Sequence, residues 1–146
     1  MKYVLLKLER EKYWIEINND GYASRQIFMD INNKIHISCL EDCLAEGLIN
    51  EKDIEANIIN ITKQEFEDMW TLVLKMYEKQ WEEIKKRYQI GTCIQGVNSH
   101  SYPQGTVIKG RDFFAIYKGN KPFYPNKLVQ YEVKSYDNLN MWLVVE

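Results

Sequence analysis

Four short runs near the start of the chain have the residue types and the spacing of strands. The run at 13–17 is the clearest, because every second residue is apolar and successive side chains of a strand point to opposite faces. Turn-forming residues separate the runs, including the Asn-Asn-Asp-Gly sequence at 18–21. We therefore predict an antiparallel sheet of four strands, at 3–8, 13–17, 22–29 and 34–38.

The pattern changes in the middle of the chain. Residues 40–60 have no regular period, which predicts a loop with one short helical turn. Thr62 and Glu65 then have the spacing of a capping box, in which each side chain bonds the other residue's backbone N–H. Apolar residues follow at spacings of three and four, so one long helix is predicted over 62–88. Its stripe is expected to pack against the sheet.

The last third of the chain is again typical of strands. Gly91 ends the helical pattern, and glycine, proline and asparagine residues then mark turns at short intervals. The predicted strands lie at 92–101, 106–110, 112–118, 128–136 and 140–145. The sequence therefore predicts an α+β protein with two domains. These are an antiparallel sheet with one long helix over 1–88 and a five-stranded β-barrel over 89–146.

The charge is distributed unevenly between these two parts. Residues 1–87 carry 13 basic and 17 acidic side chains, a net charge of −4. Residues 88–146 carry six basic and four acidic side chains, a net charge of +2. The difference in sign is consistent with two modules that have different roles. Three cysteines without a framework spacing, no secretory signal and no long apolar run predict a cytoplasmic protein.

Five short motifs follow one another in the C-terminal third. A Gly-x-x-apolar-x-Gly strand at 91–96 leads to an aromatic-Pro-x-Gly turn and an apolar pair at 102–108. The segments 114–118, 128–137 and 140–144 continue the series in order. The series resembles an S1-type OB-fold domain, a five-stranded barrel that binds single-stranded RNA. By that resemblance, we expect the exposed face of the second and third strands to bind nucleic acid.

The resemblance, with the positions of basic and aromatic residues, gives a set of expected contacts. Tyr102 stands where the family places a stacking aromatic, Lys118 where it often has His, and Asp137 where it has Asp. Lys109 and Arg111 flank the connection between the second and third strands and could meet phosphate. The expected nucleic-acid-binding residues are Tyr102, Lys109, Arg111, Tyr117, Lys118, Lys134 and Asp137.

Three positions depart from the S1 pattern. Val107 stands where a second aromatic is common, and Met141 where a basic residue is common after the last turn. Asn98 replaces an expected apolar residue in the first strand. These departures weaken the expectation of RNA binding more than the expectation of the fold, because a fold survives changes to its binding face.

The N-terminal part resembles an uncharacterised bacterial α+β domain, on residues 22–27 and 61–70. Such domains occur among immunity-type accessory proteins, so the alternative function is a protein-interaction module that neutralises a toxin. Its contact surface would be an acidic face that mimics nucleic acid, formed by Glu41, Asp42, Glu46, Glu51, Asp53 and Glu55. Arg25 is either a binding group or part of an ion pair.

The sequence offers little for catalysis or metal binding. Cys39 and Cys43 have His36 nearby, but their spacing is not that of a zinc knuckle and no second pair follows. His100, the second of two histidines, is interpreted as a surface residue. Since no phosphate-binding loop is present either, we predict no enzyme activity, no metal site and no cofactor.

Overall fold

The computed structural model describes residues 1–50, 52 and 57–146, and it has an α+β fold with two five-stranded sheets. The chain divides into two compact units, Met1–Met76 and Tyr77–Glu146. Each unit has its own sheet and its own helix, so the two are described separately.

The first unit is built on an antiparallel sheet with the order β4-β3-β2-β1-β5. The four predicted strands are present, with ends that differ from the prediction by a few residues. A fifth strand, β5, lies in the stretch predicted as a loop and pairs with β1. Only two apolar residues, Ile58 and Ile59, separate its flanking asparagines, which is too short for a detectable period. The strands are β1 Lys2–Lys7, β2 Lys12–Ile17, β3 Ala23–Met29, β4 Ile35–Ile37 and β5 Asn57–Asn60.

The predicted long helix is two helices. The capping box is present, and α1 runs over Lys63–Leu74. A 3-10 turn at Lys75–Tyr77 then interrupts the helix before α2, Glu78–Arg87. Helical backbone thus covers 63–87, close to the predicted 62–88, and the 3-10 turn divides it into α1 and α2. The apolar pattern runs through the break, but Met76 is 71% exposed, so the stripe does not bury one continuous face.

A buried ion-pair network joins α1 to the sheet. Arg25 on β3 donates to Glu16 on β2 through Nε (3.0 Å) and Nη2 (2.6 Å). The same guanidinium donates to both carboxylate oxygens of Glu67 on α1, at 3.2 and 2.5 Å. Its Cζ also lies 4.9 Å from the ring centroid of Phe66 and 5.0 Å from that of Trp70. Of the two alternatives for Arg25, the structure shows the ion pair.

The second unit is a sheet that closes on itself, in the order β10-β8-β7-β6-β9. The ring closes because β9 pairs with both β6 and β10. All neighbouring strands are antiparallel except β8 and β10, which are parallel. The five strands predicted for this part are present, again with shifted ends. They are β6 Cys93–Tyr102, β7 Gly105–Lys109, β8 Phe114–Tyr117, β9 Leu128–Asp137 and β10 Trp142–Val145.

Helix α2 belongs to this second unit. Trp81 is 4% exposed, and its indole Nε1 donates to Asn138 Oδ1 in the β9–β10 turn (2.9 Å). Tyr88 ends the helix and donates from its hydroxyl to Asp112 Oδ1 in the β7–β8 connection (2.5 Å). The division between the units therefore falls after Met76 rather than after residue 88, since these aromatic residues pack on the closed sheet.

Candidate nucleic-acid interface

The expected binding residues of the second unit divide between two ends of its sheet. Lys109 pairs with Phe114, so Lys109 and Arg111 lie at the end of β8 that α2 contacts. Tyr117 and Lys118 lie at the opposite end, and three residues along a strand separate the two ends by about 10 Å. The expected contacts therefore do not form one cluster.

Three of the expected residues, Tyr102, Tyr117 and Asp137, are engaged in packing or in a turn. Tyr117 is 9% exposed. Tyr102 is 8% exposed, and its ring lies 4.4 Å from that of His100 and 6.4 Å from that of Trp142. The Asp137 carboxylate accepts from the backbone N–H groups of Leu139 and Asn140 (3.1 Å each) and from Asn140 Nδ2 (2.9 Å). Tyr102 thus presents no exposed stacking face, and Asp137 holds the β9–β10 turn.

The remaining basic residues of the expected set are exposed. Lys109, Arg111, Lys118 and Lys134 all lie at the surface, where they can reach a phosphate without a desolvation cost. Lys134 is paired with Glu132 on the same strand, so part of its charge is already balanced. Val107, the departure from the S1 pattern on β7, is fully buried and forms part of the core.

Two stacked tyrosines mark the end of the sheet away from α2. The ring of Tyr117, on β8, lies 4.7 Å from that of Tyr131, on β9, with 12° between the ring planes. Lys121 Nζ lies 5.0 Å from the Tyr131 centroid and 6.0 Å from the Tyr117 centroid. A cation on the outer face of Tyr131 would be roughly twice as far from Tyr117 as from Tyr131. The ammonium therefore sits beside the stacked pair rather than across its outer face.

The backbone at Gly119 is needed for this arrangement. A Cβ atom at Gly119 would lie 2.2 Å from the hydroxyl oxygen of Tyr117 and 2.3 Å from its Cζ. The Tyr117 hydroxyl also accepts a hydrogen bond from the backbone N–H of Lys121 (3.4 Å). The tyrosine ring is thus folded over the start of the β8–β9 connection, and only glycine leaves room for it.

A second aromatic–cation pair lies in the same connection. Tyr124 is 55% exposed, and Lys127 Nζ lies 5.4 Å from its ring centroid. Residues 113–131 contain three lysines and no acidic residue, so all charged side chains of the segment are basic. We call this region the β8–β9 surface; its residues are Tyr117, Lys118, Lys121, Tyr124, Lys127 and Tyr131. Tyr117 is buried and contributes through its stacking with Tyr131.

Four residues of the β8–β9 surface were not among the expected contacts. Lys121, Tyr124 and Lys127 lie in a connection without periodicity, so no pattern assigns them to a face. Tyr131 lies on a predicted strand, but its stacking with Tyr117 joins two strands that are not neighbours in the sheet. The usable signal was composition, since residues 118–127 combine three lysines, two aromatics and two prolines.

The residues considered for a metal site are held in other ways. Both ring nitrogens of His36 lie close to carboxylates, Nδ1 to Glu41 (2.6 Å) and Nε2 to Asp30 (2.9 Å). Hydrogen bonds that the ring donates to the Asp30 and Glu41 carboxylates raise the pKa of His36. Burial raises the pKa of the Cys43 thiol to about 12, which disfavours the thiolate form needed for metal binding. Within residues 1–50, 52 and 57–146, no group of three His, Cys, Asp or Glu side chains is arranged to hold a metal ion.

The acidic face expected in the first unit is described only in part. Glu51, Asp53 and Glu55 lie outside the described residues. Glu41 is hydrogen-bonded to His36, which leaves it less available for a contact with another protein. Asp42 and Glu46 lie in the segment before β5.

Comparison with known proteins adds no family to these observations. No protein-family model matches the chain, and no curated protein matches it. In the part of the chain that the structure covers, no helix is both long enough and apolar enough to cross a membrane. The function must therefore be argued from the geometry of the β8–β9 surface.

Proposed function

We propose that this protein binds single-stranded RNA through the β8–β9 surface, on a second unit that is an S1-type OB-like barrel. The observation that carries the proposal is the stacked pair Tyr117–Tyr131 with Lys121 beside it. Proteins that bind single strands combine aromatic rings, on which bases stack, with basic groups that follow the phosphates. Both elements occur here, in a segment without acidic residues.

The strand order supports the assignment of the barrel. Strands β6, β7 and β8 pair in sequence, and β9 returns to pair with β6. This is a Greek-key arrangement, which the OB fold shares. The last strand, β10, then closes the ring between β8 and β9. The motifs at 91–96 and 102–108 fall on β6 and β7, as the S1 resemblance requires.

The charges and rings support the proposed ligand. Tyr131 is only partly buried, so a base can stack on it, and such stacking contributes about 1–3 kcal/mol per base. Lys118, Lys121 and Lys127 lie in the connection that precedes Tyr131 in sequence. Each lysine that meets a phosphate releases counterions and adds to the salt dependence of binding. The proposed site is thus displaced from the face of β7 and β8 to the β8–β9 connection.

The experiment is a fluorescence anisotropy titration of a labelled single-stranded RNA of mixed sequence, at low and at moderate salt. Tyr131→Leu removes the ring and keeps an apolar side chain, and we expect it to weaken binding by roughly tenfold, equivalent to about 1.4 kcal/mol. Lys121→Gln should reduce the slope of log K against log salt by about 0.7. Single-stranded DNA and duplex RNA of the same length show whether the ligand is specifically single-stranded RNA.

Two matched variants serve as controls. Tyr13→Leu makes the same change in another stacked pair, since Tyr13 lies 4.6 Å from Phe28 in the first unit. Lys109→Gln removes an exposed lysine at the end of β7, opposite Phe114 of β8. Neither variant should change the affinity. Absence of binding at low salt, or an equal loss of RNA affinity in Tyr13→Leu and Tyr131→Leu, would refute the proposal. A loss of RNA affinity in Lys109→Gln but not in Lys121→Gln would show that the RNA binds the β7–β8 face instead.

A further inference from the structure

Asn98 is a buried polar residue in a strand where the S1 pattern has an apolar one. It is 6% exposed, and its side-chain Nδ2 donates to the backbone carbonyl of Tyr124 (3.2 Å). Its own backbone N–H donates to the carbonyl of Lys127 (2.9 Å), and its carbonyl accepts from the N–H of Asn126 (2.8 Å). One residue of β6 is thus bonded to three residues of the β8–β9 connection.

The bonded segment is a tight turn. Lys127 N donates to the carbonyl of Tyr124 (3.3 Å), and Asn126 has a φ of 62°. Pro125 occupies the second position of the turn, and a left-handed residue follows it, which is the pattern of a type II turn. Asparagine tolerates this backbone conformation better than most residues. The turn displays Tyr124 and Lys127 as a pair, because they are its first and last residues.

A side-chain hydrogen bond that holds such a turn in place reduces the entropy lost when a ligand binds. An exposed loop that must be ordered when a ligand arrives loses affinity through the entropy of ordering. Here the Asn98 side chain bonds the carbonyl at the start of the turn, so the turn has a fixed position before any ligand binds. An alanine at this position would keep the backbone bonds and remove the anchor at Tyr124.

We infer that Asn98 is a positioning residue for single-stranded RNA, whose side chain holds Tyr124 as a preformed second contact beside the Tyr117–Tyr131 stack. This inference rests on the proposed function of the β8–β9 surface. It assigns a role to the position at which the chain departs from the S1 pattern. It also assigns two contacts to the RNA, one at Tyr131 on β9 and one at Tyr124 in the connection before that strand.

The test is a double-mutant cycle with Asn98→Ala and Tyr124→Ala, measured as RNA affinity by anisotropy. We expect Asn98→Ala to weaken binding about fivefold and to add nothing in the Tyr124→Ala background, because the anchor acts through that residue. Hydrogen exchange of the Asn126 amide, followed by NMR without RNA, should accelerate in Asn98→Ala. A residue that only stabilises the fold would weaken binding equally in both backgrounds.

Asn140→Ala is the matched control. Asn140 is also 6% exposed and also makes one side-chain hydrogen bond to a turn, through its Nδ2 to Asp137. It should lower the stability of the second unit to a similar extent and leave RNA affinity unchanged. Wild-type affinity in Asn98→Ala, or a loss that persists in the Tyr124→Ala background, would overturn the inference while leaving the proposed function in place. Absence of RNA binding by the wild-type chain would overturn both.

Discussion

Replacement of Arg25 by methionine should strongly destabilise the first unit. The Arg25 and Glu16 side chains are 7% and 6% exposed, so the substitution leaves a carboxylate buried without its cation. Breaking a buried ion pair from one side costs about 3–5 kcal/mol. Glu67 is 25% exposed and can turn towards water, so we expect a value near the lower limit, about 3 kcal/mol.

The pH dependence of this variant should be opposite to that of the wild type. In the wild type, burial raises the pKa of Glu16, but hydrogen bonds from Arg25 and Ser24 outweigh burial and lower it. The contribution of Glu16 to stability is thus fully present above the pKa of an unfolded glutamate, about 4.3. It is lost as the pH falls through the lower pKa that Glu16 has in the folded state. Without Arg25, burial dominates and the folded pKa lies above about 4.3. The destabilisation by the buried Glu16 carboxylate is then greatest at neutral pH, and it declines as acid protonates the group.

The assay is urea unfolding followed by circular dichroism between pH 4 and 7, together with hydrogen exchange of the β2–β3 hairpin. The exchange measurement is needed because two units need not unfold together. Lys134→Met is the control, since it breaks an ion pair whose side chains are 47% and 41% exposed and should change the unfolding free energy much less. A loss below about 1 kcal/mol for Arg25→Met, or a stability that declines with acid as in the wild type, would refute the reasoning.

Three further predictions concern local features. Gly119→Ala should displace the Tyr117 ring and weaken RNA binding by roughly tenfold in the anisotropy assay, because the new Cβ would lie 2.2 Å from the Tyr117 hydroxyl oxygen. Asp137→Ala should lower the unfolding free energy of the second unit by about 1–2 kcal/mol in urea, without changing RNA affinity, since its carboxylate bonds only its own turn in the described contacts. Thr62→Ala should destabilise α1 by about 1 kcal/mol, measured as faster amide exchange in its first turn, because it removes half of the capping box.

The strands were predictable because local patterns determine them. Alternation and turn residues identified β1 to β4 and β6 to β10, and the two-sheet α+β layout followed from their order. The break at Lys75–Tyr77 was not predictable, because the apolar spacing continues through it. Which unit a helix packs against depends on long-range contacts, such as Trp81 with Asn138, that the helical period does not encode.

The binding residues were harder to predict than the strands. Arg25 could be assigned only when Glu16 and Glu67, distant in sequence, were placed beside it. Tyr102 was expected on an exposed face, because sequence order shows which residues alternate but not which face is covered. The residues of the β8–β9 connection lack a period altogether, so their position became known only from the turn and its hydrogen bonds.

The departures from the S1 pattern at Val107 and Asn98 agree with a proposed site that lies on the β8–β9 connection instead of on the face of β7 and β8. Val107 is fully buried and Tyr102 nearly so, which makes the β7 end of the usual binding face part of the core. Asn98 is polar where the pattern is apolar, and it anchors the connection that carries Tyr124 and Lys127. A closed sheet that loses stacking groups on one face keeps its fold, because that face is not required for closure of the sheet. In the proposed site, the anchored connection supplies the exposed aromatic groups that the β7–β8 face lacks, and the double-mutant cycle of Asn98 and Tyr124 tests this relation directly.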